Sequence, residues 1–129
     1  MIVKSLEHLN SLSQKIADNL AKNDCIFLIG EIGVGKTTFT RYLINYLQEK
    51  RGEKITEVLS PTFNLLYEYD LKDIKIMHYD LYRIREEKEL KHLGIFLDSL
   101  SAIFCENEFR CSKDFTIISY CFSSDKYLV

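Results

Sequence analysis

The chain has no tryptophan, a single proline and only five glycines among its 129 residues. With no Pro-, Ser- or Gly-rich run, no low-complexity segment and no internal repeat, there is nothing to serve as a linker, so residues 1–129 read as one domain. Its four cysteines (Cys25, Cys105, Cys111, Cys121) form no C-x-x-C pair and no metal-ligand spacing with the three histidines. Cys25 and Cys105 lie inside apolar runs, where a free thiol behaves as a small hydrophobe, and this fits a reducing cytosol better than a disulfide framework. Positive charge is not in excess. Seventeen Lys and Arg face nineteen Asp and Glu, and a net charge of −2 argues against a broad nucleic-acid-binding face. No apolar run reaches membrane-spanning length, and Met1–His8 lacks the apolar centre of a signal peptide. The expectation is a soluble, cytoplasmic protein.

The few glycines are concentrated. Gly30, Gly33 and Gly35 fall within Gly30-Glu31-Ile32-Gly33-Val34-Gly35-Lys36-Thr37-Thr38, which satisfies G-x-x-x-x-G-K-[ST]. Residues without a Cβ let the backbone turn its N–H groups inward, and the amides around Gly33, Val34 and Gly35 form a nest for α/β-phosphates. The helix that follows adds its positive end. Lys36 brings a point charge to the β/γ-phosphates and is expected to meet phosphate, not the core; Thr37 offers a hydroxyl to Mg²⁺, and Thr38 is placed to approach the α-phosphate. A glycine-rich turn with a chance Lys-Thr is the bland alternative, but the context is what the motif requires. Cys25–Ile29 is a continuous apolar run suited to a strand buried on both faces, and Phe39, Tyr42, Leu43, Tyr46 and Leu47 recur at helical spacing.

Elsewhere, Leu6, Leu9, Leu12, Ile16 and Leu20 predict an amphipathic helix over 5–21, with His8 on its surface. The P-loop helix is predicted over 36–50, stopped by Gly52, with Lys50, Arg51 and Lys54 as a solvated basic end that complements the helix dipole. Pro61 excludes helix at Ser60-Pro61-Thr62-Phe63. The alternation from Phe63 to Tyr69, a polar turn at 70–73 and the apolar run to Asp80 predict an antiparallel hairpin over 63–80. Residues 81–93 read as a helix closed by Gly94, Ala102–Cys105 as a short strand ending at Glu106, and Phe115–Phe122 as another strand. Tyr127-Leu128-Val129 begins an element that the sequence does not complete.

A phosphate-binding loop of this kind needs an acidic residue at the carboxyl end of a neighbouring strand. Asp80 and Glu106 both stand at such ends. Asp80 also suits the N-cap of the helix after it, and both roles can coexist. Glu106 is equally the first residue of a solvated loop. Thr62, held extended after Pro61, could sense a γ-phosphate as switch loops do, or could simply start a strand.

Three separated motifs together resemble one family. Gly30–Thr38, Ser60-Pro61-Thr62-Phe63 and His78-Tyr79-Asp80-Leu81-Tyr82-Arg83 look like TsaE, the P-loop ATPase family of bacterial tRNA threonylcarbamoyladenosine synthesis, in order and spacing from the N-terminal helix to about residue 110. The resemblance implies ATP and Mg²⁺ at Lys36 and Thr37, Thr62 facing the nucleotide, and Asp80 in the metal site. It also implies a partner, the TsaD–TsaB pair, which modifies adenosine 37 of tRNA and which the ATPase resets, so that tRNA is met only through partners. Two features depart from the family pattern: Asn107 stands where a Trp follows the Glu matched by Glu106, and a further strand usually follows the position of Val129.

These readings converge on an α/β, P-loop NTPase-like three-layer domain with a mixed central sheet. The expected activity is slow, partner-coupled ATP hydrolysis. Gly33, Val34, Gly35, Lys36, Thr37 and Thr38 bind nucleotide, Thr37 and Asp80 serve the metal, and Lys36, Thr62 and Glu106 act in catalysis, Glu106 orienting the attacking water. Two rivals stand beside it. A small-molecule kinase would need an Arg-bearing lid, for which Arg83 and Arg85 are the paired arginines; a nucleotide-gated binding module would need ATP bound but hardly cleaved.

Overall fold

A computed structural model describes residues 2–20, 24–29, 35–61, 66–80, 101–106, 116–121 and 127–128. Chain order gives β1 (Ile2–Val3), α1 (Leu6–Asn19), β2 (Asp24–Ile29), α2 (Lys36–Lys50), β3 (Leu66–Leu71), β4 (Ile74–Asp80), β5 (Ser101–Glu106), β6 (Thr116–Cys121) and β7 (Tyr127–Leu128). The architecture is α/β. Expected features at 30–34, at 62–65 (Thr62 among them) and at 81–100 lie outside the described residues.

Helix α1 starts where Ser5, extended at φ −154°, accepts a hydrogen bond from the His8 backbone N–H at 3.1 Å, as an N-cap does. Its inner stripe holds four of the five expected residues, all but Leu6. Leu9, Leu12, Ser13 and Ala17 are buried, Ile16 and Leu20 pack partly against the core, and Leu6 is 55% exposed. As the first helical residue, Leu6 stands at the end of the stripe, beyond the reach of the facing helix.

Helix α2 covers the predicted 36–50, with Phe39, Leu43, Ile44 and Leu47 on its inner face. Each of those side chains contributes about 1.5–3 kcal/mol by leaving water. The helix ends in a Schellman motif. Glu53 N donates to Gln48 O at 2.9 Å and Gly52 N to Glu49 O at 3.0 Å, with Gly52 at φ +65°.

The basic residues beyond α2 do more than face water. Arg51 pairs with Asp73 through both Nε and Nη2, the latter at 3.0 Å, and its Nη1 donates to the Leu47 carbonyl at 3.2 Å. Lys50 reaches Asp18 of α1 at 2.7 Å, where Tyr46 also donates at 2.8 Å. The expected solvated end is therefore tied to α1 and to the hairpin turn, because acids on two other elements lie within reach, while Lys54 is exposed.

Five strands form one sheet in the order β3-β4-β5-β2-β6. β3 and β4 pair antiparallel through a turn at Lys72–Asp73, so strand character persists through Asp70 and Leu71, where a turn had been expected. β4–β5, β5–β2 and β2–β6 pair parallel. The even-numbered positions of β2 and β4 (Ile26 and Leu28, Ile74 and Ile76) join α1 and α2 in a single buried cluster, which puts both helices over that face. Ile2 and Val3 form an unforeseen strand, paired antiparallel with β7 through Ile2↔Leu128 and Val3↔Tyr127. This gives the closing residues 127–128 a partner. Among the described residues no helix is long and apolar enough to cross a membrane.

Candidate functional site

The site is assembled where β2 hands over to α2. Gly35 is the N-cap of α2 at φ +111°, ψ 10°, a left-handed conformation that a Cβ would oppose. Its carbonyl accepts the Phe39 N–H at 2.9 Å, so the helix is formed from its first turn. A glycine brings no capping side chain, and no acidic residue lies in that turn. The helix thus begins with no acidic side chain in its first turn, a setting that favours an anion at its positive end.

Lys36 and Thr37 open the helix. Thr37 and Thr38 are half-buried, while Lys36 is only 5% exposed. The expectation that Lys36 stands clear of the core is corrected here, since the residue is buried. An ammonium carried on a buried stem is what a preformed phosphate site requires of a lysine. One turn on, the Thr40 hydroxyl donates back to the Lys36 carbonyl at 3.1 Å.

The two candidate acids stand at paired backbone positions. Asp80 at the end of β4 is directly opposite Glu106 at the end of β5, and Glu106 is directly opposite Leu28 near the end of β2. Parallel neighbours are about 4.8 Å apart, so one line across the sheet's carboxyl edge carries both acids to β2, the strand before α2. Asp80 is 7% exposed and lies on the same sheet face as Ile76 and the helices, with fully buried His78 between them. Strand alternation alone could have found that placement of His78, two residues before Asp80.

Gly33 and Val34 fall within 30–34, and Thr62 within 62–65; these candidates lie outside the described residues, as do Arg83, Arg85 and Asn107. The described residues thus bring together Gly35, Lys36, Thr37 and Thr38 at one helix end, and Asp80 with Glu106 at one sheet edge. Among the described residues no three of His, Cys, Asp and Glu converge on a metal-holding cluster. The donor set still fits Mg²⁺, which takes one or two protein oxygens and completes its shell with phosphate oxygens and water.

Sequence reasoning passed over the segment between α2 and Pro61. Its backbone has no helix or strand, yet Gln48 and Arg41 hold it against the domain. Gln48 sits four residues after Ile44 on the buried side of α2, and its polarity within an apolar stripe was the available signal.

A family model described as "Threonylcarbamoyl adenosine biosynthesis protein TsaE" matches residues 3–116. A relative from Rickettsia conorii, "tRNA threonylcarbamoyladenosine biosynthesis protein TsaE", is 41% identical over 92 residues, covering 71% of this chain and 50% of its own length. A protein of the same name from Aquifex aeolicus is 39% identical over 94 residues, covering 73% and 68%. The match thus spans about half the length of the Rickettsia conorii relative. The crystal structure of Bacillus subtilis YdiB superposes with a TM-score of 0.64 over 94% of this chain and 74% of that one, at 22% identity, a likeness of fold.

Proposed function

The chain belongs to the TsaE family, and from that premise we propose that it is the Mg-dependent, ATP-binding and slowly hydrolysing component of the tRNA threonylcarbamoyladenosine machinery. In this reading the domain is P-loop NTPase-like, three-layered with a mixed central sheet, and cytoplasmic. It acts on a TsaD–TsaB partner complex and meets tRNA only through that complex. The observation that carries the reading is the alignment of Asp80, Glu106 and Leu28 across the sheet edge beside an α2 start built from Gly35, Lys36 and Thr37.

Mg²⁺ bound with ATP supplies neutralisation of the charge that develops on the phosphates. The chain's own groups do the rest. Backbone N–H groups at Gly33, Val34 and Gly35 and the uncapped end of α2 bind the phosphates; Lys36 adds its charge, and the Thr38 hydroxyl lies one position further along the same turn. The Thr37 hydroxyl and the Asp80 carboxylate are the oxygen donors for the metal's shell. The Glu106 carboxylate accepts a hydrogen bond from a water and so orients it, and Thr62 reports whether the terminal phosphate is present.

The test separates the two acids. Asp80→Asn is expected to weaken Mg-dependent nucleotide binding, whereas Glu106→Gln binds Mg-ATP nearly normally and turns it over more slowly. Isothermal titration beside single-turnover hydrolysis distinguishes them, and the opposite pattern would exchange their roles. Asn107, standing at the family's Trp position, favours as second reading a nucleotide-gated module that binds ATP without useful cleavage. Partner assembly that proceeds equally with ATP and a non-hydrolysable analogue would select that reading.

A further inference from the structure

Residues 53–61 run from the end of α2 to Pro61 without helix or strand. Such a segment loses conformational freedom with no hydrogen-bond ladder in return, so its fixed path needs other anchors. It has a sequence of them. Glu53 N closes the Schellman motif on Gln48 O, and the Glu53 carboxylate accepts the Lys72 N–H at 3.0 Å. Thr56 N donates to Gln48 Oε1 at 3.2 Å while Gln48 Nε2 donates to Thr56 Oγ1 at 2.9 Å. Val58 is fully buried in the core, and its carbonyl accepts from Arg41 Nε at 3.4 Å.

The Gln48–Thr56 pair is the specific element. Gln48 is 5% exposed beside Leu47 and Ile44, where an unpaired amide would be costly. Both ends of that amide are satisfied by one residue, which must present a backbone N–H and a hydroxyl together. Slipping the segment by one residue would offer Ile55 or Glu57, neither of which has a hydroxyl, and would draw Val58 from its buried place. The register is therefore set twice over. Because Gln48 and Arg41 stand on the same helix as Lys36 and Thr37, α2 acts as a ruler between the phosphate end and this strap; Gln48 is about 18 Å along the axis from Lys36.

We propose that Gln48 and Thr56 are positioning residues, whose reciprocal hydrogen bonds fix the register of residues 53–61 on α2 and so set the path by which the chain reaches Pro61. The assignment rests on the nucleotide reading above. It fixes where residues 53–61 lie along α2 relative to Lys36.

The experiment uses the full chain and the variants Thr56→Val, Thr56→Ser, Gln48→Met and the Gln48→Met/Thr56→Val double. Three readouts are taken: amide hydrogen exchange of residues 56–60 without nucleotide, the Tm shift on adding Mg-ATP, and kcat and KM for ATP hydrolysis. Thr56→Val is expected to speed that exchange by about ten-fold and to lower kcat by about ten-fold, with KM and the Mg-ATP shift unchanged. Thr56→Ser restores both, and the double variant is no worse than the worse single. If Gln48→Met fails to fold, Thr56→Val and Thr56→Ser alone decide, since Thr56 is exposed. Wild-type kcat in Thr56→Val, no rescue by serine, or losses in KM and kcat together would overturn the assignment while a normal Mg-ATP shift leaves the nucleotide reading standing. A wild type with no Mg-ATP shift at all would overturn both.

Discussion

Lys36→Met offers a test in which two effects of opposite sign separate. The lysine is 5% exposed at the first position of α2, where the helix end is itself positive and no acid lies in the turn. Methionine keeps an unbranched stem of similar length in the same packing and removes only the charge. A cation at a helix N-terminus is disfavoured by about 0.3–1 kcal/mol. The nucleotide-free variant should therefore match or slightly exceed the wild type in stability. Ligand at 100 times its Kd adds about 2.7 kcal/mol to the native state. With an unfolding entropy of about 2.1 cal/mol/K per residue, a chain of this length converts that energy into a Tm rise of about 10 °C. The assay is differential scanning fluorimetry with and without Mg-ATP. Wild type should rise by about 10 °C, and Lys36→Met should keep its apo Tm but lose most of the rise. A variant that melts well below the wild type yet retains the full Mg-ATP shift would refute the reasoning, because Lys36 would then be a core residue only.

The Asp18 carboxylate is held below its ordinary range by the hydrogen bond from Lys50 and then that from Tyr46. A carboxylate with a lowered folded pKa stabilises above its unfolded value of about 3.8 and loses that contribution as pH falls through the lower folded value. Urea midpoints taken from pH 6 to pH 2 should therefore drop more steeply below about pH 4 in the wild type than in Asp18→Asn; parallel curves would remove the cluster from the acid response. Gly52→Ala places a Cβ in open space but at φ +65°, so about 1 kcal/mol should be lost through backbone strain alone, read as a lower urea midpoint with an unchanged m-value. The isolated protein should bind tRNA only at weak, non-specific, micromolar-to-millimolar levels at physiological salt, since its two clustered cations Lys50 and Arg51 are already engaged by Asp18 and Asp73; tight binding abolished by reversing those charges would make it an RNA-binding ATPase.

What could be read from the sequence follows from how local each determinant is. Phe39, Leu43 and Leu47 marked α2 because helical spacing is visible within one segment, and Gly52 marked its end because only a residue without Cβ suits that position. The hairpin followed from alternation. Ile2–Val3 was invisible, since two residues carry no period and their partner lies at 127–128. Asp80 and Glu106 could each be proposed from a strand end, but their shared register depends on a parallel pairing that neither segment encodes. The burial of Lys36 depended on packing around its stem, and the engagement of Lys50 and Arg51 on acids from α1 and the β3–β4 turn. The Gln48–Thr56 pair was hidden for a related reason: a polar residue on a helix announces its partner only once the following chain is laid across it.

The central place of β2 has a consequence for how the protein is made. Its two neighbours, β5 and β6, are encoded far downstream, with Ser101 following Ile29 by 72 positions. At the ~5–20 residues per second of translation, β2 emerges from the ribosome roughly 4–14 s before either neighbour exists. Over that interval Cys25–Ile29 is an apolar segment with unpaired backbone, while α1, α2 and the β3–β4 hairpin can already form from local contacts. Nascent chains should therefore engage trigger-factor-type chaperones through β2. The sheet would then close around that strand only at the end of synthesis.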